Sequence, residues 1–338
     1  MLRKSWANFA ALALLLVAAV LIIVPGPTVR AQNKYWGANY FPNVELTTQD
    51  GKTVHFYDDL IKGKIVVIDM IYTHCVDACP LETARLTQVQ RMLGDRVGKD
   101  IFFYSITIDP KRDTPEVLKD YAARYHVGPG WLFLTGKKAD IDLIGDKLGL
   151  SSDPNPLDRD GHAPTVLLGN ETTGQWMRNA AVDNARFMAT IINEWLPDAK
   201  IQAPKTEGKP SYADAATINI GSRGKYLFGK SCAACHTIGH GDKIGPDLAG
   251  ITKIRDRAWL MRFIEEPEKM LDEGDPIATS LFVKYNKVQM PNLRIGDEHA
   301  GYLIDFLANP NLNETGMPEK TGAMKVDPAS PAPSSTNQ

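Results

Sequence analysis

Four cysteines fall into two tight pairs, and each pair suggests its own chemistry. Cys232 and Cys235 lie in Ser231-Cys232-Ala-Ala-Cys235-His236, a C-x-x-C-H sequence. Two thiols three positions apart on one side of a helical turn can join one porphyrin edge, and the adjacent imidazole can reach the iron. The pattern therefore reads as attachment of one c-type haem. The competing readings are a redox pair and half of a zinc site. No second pair with zinc spacing follows, and Lys225 to Ser231 lacks the strand pattern expected before a redox pair. Cys75 and Cys79 are separated by three residues and followed by Pro80. Thiols at a helix start meet the positive end of its dipole, which favours thiolate, a soft metal ligand and the nucleophile of disulfide exchange. His162, in the polar run Asp158-Arg-Asp-Gly-His162, is the candidate third ligand. Two thiolates and one imidazole suit Cu(I) and also hold Cu(II). Two plainer readings stay open: a purely redox-active pair, and a structural disulfide, whose short loop would gain little chain-entropy stabilisation.

The elements that must position these groups are legible in the apolar patterning. Lys64 to Tyr72 is mostly β-branched and apolar, as a buried strand requires. Leu81 to Leu93 has helical spacing after Pro80. Ile101 to Ile108 reads as a strand, Thr114 to Tyr125 as a helix capped by Thr114, and Trp131 to Leu134 as a short strand. Ala139 to Leu148 reads as a helix, Thr165 to Leu168 as a strand and Asn184 to Trp195 as a closing helix. This alternation implies an α/β sandwich with helices covering the sheet. Asp109, Arg112 and Asp113 are expected to brace the loop beside the cysteines, with His74 at the surface. His55 and His126 carry no signal.

Beyond Pro197 the composition turns to Lys, Pro, Gly, Ala and Glu, the mark of a linker. A helical segment with its own aromatic residues follows, from Tyr226 to Phe306. It resembles a class I cytochrome c domain over about 90 residues. Gly224-Lys-Tyr-Leu-Phe228 matches that family's first helix, Gly245-Pro-Asp-Leu248 its loop after the haem motif, Gln289-Met290-Pro-Asn-Leu293 its distal methionine loop, and Gly301 to Leu307 its last helix. The resemblance implies that the Pro246 carbonyl holds the His236 imidazole, that Met290 is the sixth iron ligand, and that the last helix packs across the first. Met/His ligation raises the haem potential and suits electron transfer. Met261 and Met270 are the rivals for that position; His240 and His299 read as surface histidines.

Residues 40–197 carry a second resemblance, to the Sco/SenC family of copper-handling, thioredoxin-fold proteins. It rests on Cys75-Val-Asp-Ala-Cys79-Pro80, on Ser105-Ile-Thr-Ile-Asp-Pro-Lys-Arg-Asp-Thr-Pro115 and on the late His162. Val76 stands where the family often has proline, and Ala163-Pro164 directly after the histidine is a further departure. The resemblance implies Cys75, Cys79 and His162 as copper ligands and delivery of copper to the binuclear centre of a respiratory oxidase.

The N-terminus bears on location. Arg3 and Lys4 precede sixteen uninterrupted apolar residues, Phe9 to Val24, then Pro25, Gly26 and Pro27. Val29-Arg30-Ala31 reads as a cleavage site. A cleaved signal and a retained inner-membrane anchor over residues 6–24 are both open, and both place the body in the periplasm. The expected organisation is a signal or anchor at 1–32, a thioredoxin-like α/β domain at 33–200, a linker at 201–218, an all-α cytochrome c domain at 219–310 and a disordered tail at 311–338. With 38 Lys plus Arg against 40 Asp plus Glu, nothing points to nucleic acid. The sequence is read as an exported copper chaperone with a fused electron-transfer cytochrome, acting on the copper subunit of a respiratory oxidase or another exported redox protein. The alternative is a thiol–disulfide oxidoreductase that exchanges electrons with its own haem.

Overall fold

The computed structural model describes residues 36–151, 164–197 and 223–311. The expected signal or anchor, the linker, His162 and all but the first residue of the expected tail lie outside these ranges. No helix among the described residues is long and apolar enough to cross a membrane.

The first part is a mixed α/β layer structure. Strands β1 (Glu45–Thr48), β2 (Thr53–His55), β3 (Ile65–Ile71), β4 (Ile101–Thr107), β5 (Trp131–Gly136), β6 (Thr165–Asn170) and β7 (Gln175–Ala180) form one sheet, ordered β2-β1-β5-β4-β3-β6-β7. The centre, β5-β4-β3, is parallel; β6 runs antiparallel to β3. Every residue of β3 is buried, which explains its apolar run, broken only by Asp69. Its alternate side chains enter two cores. Ile65, Val67 and Ile71 pack with Leu86 and Val89 of α1 (Ala78–Leu93), with Leu118 of α2 (Pro115–Arg124) and with Met188 of α4 (Ala185–Thr190). Val66, Ile68 and Met70 pack with Phe56 and with Ile141 and Ile144 of α3 (Lys138–Leu148).

Most expected elements are present, with shifted ends. Thr114 caps α2 by accepting from the Val117 N–H, and Pro115 opens it. Helix α1 starts at Ala78, three residues before the apolar spacing predicts. Pro80 sits in its first turn, where a missing N–H costs nothing because no helical acceptor precedes it. The hairpin β1–β2 and the strand β7 are additions; β7 is mostly half-exposed and polar, so period-two apolar patterning does not mark it.

The second part is helical: α5 (Arg223–Leu227), running on as a π-helical turn Phe228–Cys232, then α6 (Ile251–Ile254), α7 (Arg257–Glu265), α8 (Pro267–Asp272), α9 (Pro276–Lys284) and α10 (Asp297–Ala308). Helix α10 packs across α5, as the cytochrome c resemblance implies. The crossing depends on Gly224: a Cβ there would lie 2.1 Å from the Tyr302 carbonyl oxygen and 2.5 Å from Phe306 Cβ.

A buried acid under the sheet gives a stability prediction. Asp69 on β3 is 1% exposed; one carboxylate oxygen accepts from the Ser105 hydroxyl at 2.6 Å and the other has no partner. Burial pushes its pKa up from 3.8 to about 7. A raised carboxyl pKa gives stability that is full below the unfolded value and is lost as pH climbs through the folded one. By linkage this costs on the order of 4 kcal/mol at pH 8 relative to pH 4. Asp69→Asn should therefore flatten the fall in stability between pH 4 and pH 8, read by urea denaturation at both pH values. Equal shifts at both would sink the idea.

Candidate functional site

The cysteine turn leaves the carboxyl end of β3, where open α/β sheets place their ligand sites. Its entry is pinned by Asp113, which is fully buried. The Asp113 carboxylate accepts from the Thr73 N–H at 3.1 Å, from the Thr73 hydroxyl at 2.6 Å and from the Thr107 hydroxyl. Asp113 thus braces the loop as expected. Asp109 and Arg112 pair with each other at 3.8 Å and meet His74, whose side chain is 42% exposed, while the Asp109 carbonyl accepts from the Asp113 N–H at 3.0 Å. The Cys75 N–H closes the turn on the Tyr72 carbonyl at 3.3 Å.

Cys75 and Cys79 are brought together, and no disulfide joins them. Cys79, in the first turn of α1, is wholly buried, while Cys75 keeps 9% of its surface exposed. The Cys79 thiol donates to the Cys75 sulfur and, with the N–H groups of Cys79 and Asp77 and the Tyr72 hydroxyl, brings the Cys75 pKa down to about 6 despite burial. Cys79 moves the other way: its proton is held between the two sulfurs, and burial adds to the effect. The pair thus favours a thiolate at Cys75, which is buried apart from a small exposed fraction, backed by the wholly buried thiol of Cys79. Glu82, one helical turn beyond Cys79, is fully buried with both carboxylate oxygens unpartnered; burial and the nearby Asp69 and Cys75 push it well above the usual carboxylate range. The sequence reading missed Glu82, although its spacing from Cys79 places both on one helical face.

Among the described residues, no three His, Cys, Asp or Glu side chains converge as a metal site. Two sulfurs are in place, and a third ligand would have to come from elsewhere. Strand β6 runs antiparallel to β3 with Val166 opposite Asp69, so Pro164 lies toward the end of the sheet from which the cysteine turn leaves. His162 itself is outside the described residues.

In the helical part, Cys232, Cys235 and His236 line a largely apolar cavity open to solvent at one side. Met290 lines it too. Met270 is 1% exposed in the packed interior and, like Met261, does not reach the cavity. The His236 Nδ1–H donates to the Pro246 carbonyl at 2.9 Å; a carbonyl only accepts, so Nε2 is left as the ring's lone-pair nitrogen. Gly245 is the cradle for that ring: a Cβ there would stand 2.6 Å from His236 Cε1. Two adjacent thiols, one imidazole with a fixed tautomer, one thioether and an apolar chamber are the donor set and surroundings that a c-type haem needs, so these residues fit it. Gly245→Ala should turn the ring, break the Pro246 bond and shift the haem Soret band. A spectrum matching the parent chain would show the ring does not depend on this contact.

Comparison with known proteins finds a family match for each part of the chain. The SCO1/SenC family model matches residues 34–193 and the Cytochrome c model matches residues 221–310. An SCO2-like protein of Rickettsia felis is 33% identical over 149 residues, 42% of this chain and 69% of the relative. One from Rickettsia conorii is 32% identical over 160 residues, 44% of this chain and 74% of the relative. The structure of Bradyrhizobium japonicum ScoI with copper bound is 27% identical, with a TM-score of 0.38, covering 45% of this chain and 96% of that one. With a cysteine pair at the head of α1 and a haem-type cavity in the helices that follow, the chain belongs to the SCO1/SenC family and continues into a cytochrome c domain.

Proposed function

We propose that this protein is an exported copper chaperone with a built-in electron carrier, supplying copper to the binuclear centre of a respiratory oxidase. The observation that carries this reading is the cysteine pair: two adjacent sulfurs, one of them a thiolate, at the end of β3. Two soft donors favour Cu(I) over harder ions, and His162 completes the set. Asp113 fixes the entry to the turn, so the sulfurs are held in register before the ion arrives and little ordering remains to oppose binding. Copper is the cargo. Cys75 offers the less buried sulfur, and Cys79 gives up its proton as the ion takes its place between the two. Cys232 and Cys235 hold one haem covalently, with His236 and Met290 as its axial ligands. A haem so held supplies one-electron exchange. Residues 6–24 deliver the protein to the periplasm, as a cleaved signal or as an anchor.

Copper titration of the reduced chain tests this reading. One Cu(I) should bind per chain, and His162→Ala should weaken it by about 10- to 100-fold or more, at least the scale seen when outer-shell partners of a metal are lost. Undiminished affinity in that variant would remove His162 from the site, and no binding by the parent chain would remove the chaperone reading.

A second reading is favoured by one observation. A low-pKa cysteine backed by a more deeply buried thiol is also the arrangement of a thiol–disulfide oxidoreductase, with Cys75 as nucleophile and Cys79 as resolving thiol. Disulfide-reductase activity without copper binding would support it.

A further inference from the structure

The haem cavity is not walled by the helical part alone. Pro80 and Leu81, the two residues after Cys79, line it together with Cys235, His236 and Met290. The Asn292 N–H, two residues beyond Met290, donates at 3.1 Å to the carbonyl of Val76, inside the cysteine turn. The Asn292 side chain meanwhile donates to Glu268 at 2.7 Å and accepts from the Arg294 N–H at 2.9 Å, so one residue ties the methionine loop together and hangs it on the turn. Further along α1, the Arg85 guanidinium donates to the Lys230 carbonyl at 2.7 Å and the Gln88 amide to the Ala233 carbonyl at 3.0 Å, on both sides of Cys232. Ala234 and Ile244 are buried in the same apolar cluster as Cys75, Cys79 and Leu81. The haem-attachment segment is therefore docked on the helix that bears Cys79, and the backbone from Cys79 to Leu81 runs directly from one site to the other.

We infer that the first turn of α1 is an electron-exchange contact, across which one electron reaches copper held by Cys75 and Cys79 from the haem side, with Arg85 and Gln88 as positioning residues. This rests on the copper and haem assignments proposed above and adds the direct contact between them. The step is balanced as it stands: Cu(II) at the two sulfurs becomes Cu(I) while the iron goes from ferrous to ferric. No bond to carbon, sulfur or hydrogen forms or breaks, and an external one-electron donor restores the ferrous state. A one-electron couple on the cysteine side matches a single haem, whereas a dithiol–disulfide couple moves two electrons. The product, Cu(I), is also the ion that two thiolates hold best.

The test uses the full haem-loaded chain, reduced and then mixed with one equivalent of Cu(II). Haem oxidation is followed by absorbance and loss of the cupric signal by electron paramagnetic resonance. The expected result is one ferric haem and one Cu(I) per chain, formed in a phase whose rate does not change with protein concentration. The double variant Arg85→Ala/Gln88→Ala should keep its copper stoichiometry and haem spectrum but lose roughly tenfold in that rate, the loss expected from two clamp hydrogen bonds. If Arg85→Ala disturbs folding, Gln88→Ala alone should slow the phase, and amide exchange at Asn292 should quicken in step with it. Copper bound at full stoichiometry with the haem left ferrous would overturn the contact while leaving the chaperone reading intact. Haem oxidation that persists in Cys75→Ser/Cys79→Ser would overturn it as well, because copper would then be reacting from solution. Failure to bind copper at all would overturn both.

Discussion

Cys79→Ser should cost the protein at least ~100-fold in Cu(I) affinity, beyond the range seen when only an outer-shell partner of a metal is removed. Two separate effects combine. A serine oxygen is a hard, weak donor to a soft ion, so one of the two sulfurs is lost outright. Cys79 is also the main reason that Cys75 is a thiolate: its S–H donates to the Cys75 sulfur and holds that pKa near 6 instead of the ordinary 9.0. A serine hydroxyl is the stronger donor, but its Oγ sits closer to Cβ than Sγ does, so in this wholly buried position the bond it gives Cys75 is lengthened. The Cys75 pKa should climb, and the rate of its alkylation by iodoacetamide should titrate at higher pH than in the parent chain. Competition against a Cu(I) chelator reads the first effect and the alkylation profile reads the second. Cys75→Ser is the useful contrast. It removes the less buried sulfur, so copper affinity should fall as far, while the remaining buried thiol should alkylate slowly at every pH below its own raised value. Unchanged affinity in either variant would mean that the two sulfurs do not share an ion. A drop in affinity with an unmoved alkylation profile would keep the shared ion and discard the proton link.

How much of this was readable from residue order alone depends on which interactions are local. The strand β3 announces itself because a strand buried on both faces needs apolar residues at every position, and Ile65 to Ile71 supplies them except at Asp69. The start of α2 is equally local, since Thr114 caps and Pro115 is pre-set for a first helical turn. Asp113 as a brace follows from the loop that carries it. The head of α1 was misplaced for a physical reason. Periodicity begins to register only where apolar side chains recur at Leu81, whereas the backbone turns helical at Ala78, where burial of Cys79 rather than patterning sets the start. The hairpin Glu45–His55 joins the sheet by pairing β1 with the distant β5, and the edge strand Gln175–Ala180 pairs only with β6 just before it; the side chains of both carry little signal of their own. The docking of Arg85 and Gln88 on the carbonyls of Lys230 and Ala233 spans 145 residues in each case, and no spacing rule reaches that far. In the haem region, the Pro246 carbonyl meets His236 as the cytochrome c resemblance implied, and Met290, not Met261 or Met270, reaches the cavity.

That last distinction supports the second large prediction. Met290→Ala should abolish the far-red sulfur-to-iron absorption of the oxidised haem and lower its midpoint potential by on the order of 0.1–0.3 V, a modest share of the ~0.8 V that axial ligands span. A thioether stabilises the ferrous state, and with it gone a weaker or harder donor must fill the position. The control is Met270→Ala. Met270 sits in α8, almost fully buried, with its N–H on the Glu266 carbonyl and its own carbonyl accepting from Asp275. Truncating it should cost about 2–5 kcal/mol in folding stability through the cavity left behind, and should leave the far-red band in place. The two variants therefore separate along two axes: Met290→Ala moves the spectrum and the potential with little loss of stability, and Met270→Ala does the reverse. If the band survives in Met290→Ala and disappears in Met270→Ala, the iron's thioether comes from α8. In that case the Val76–Asn292 bond would tether a loop without an iron ligand, and the cysteine turn would have no such hold on the haem's sixth position.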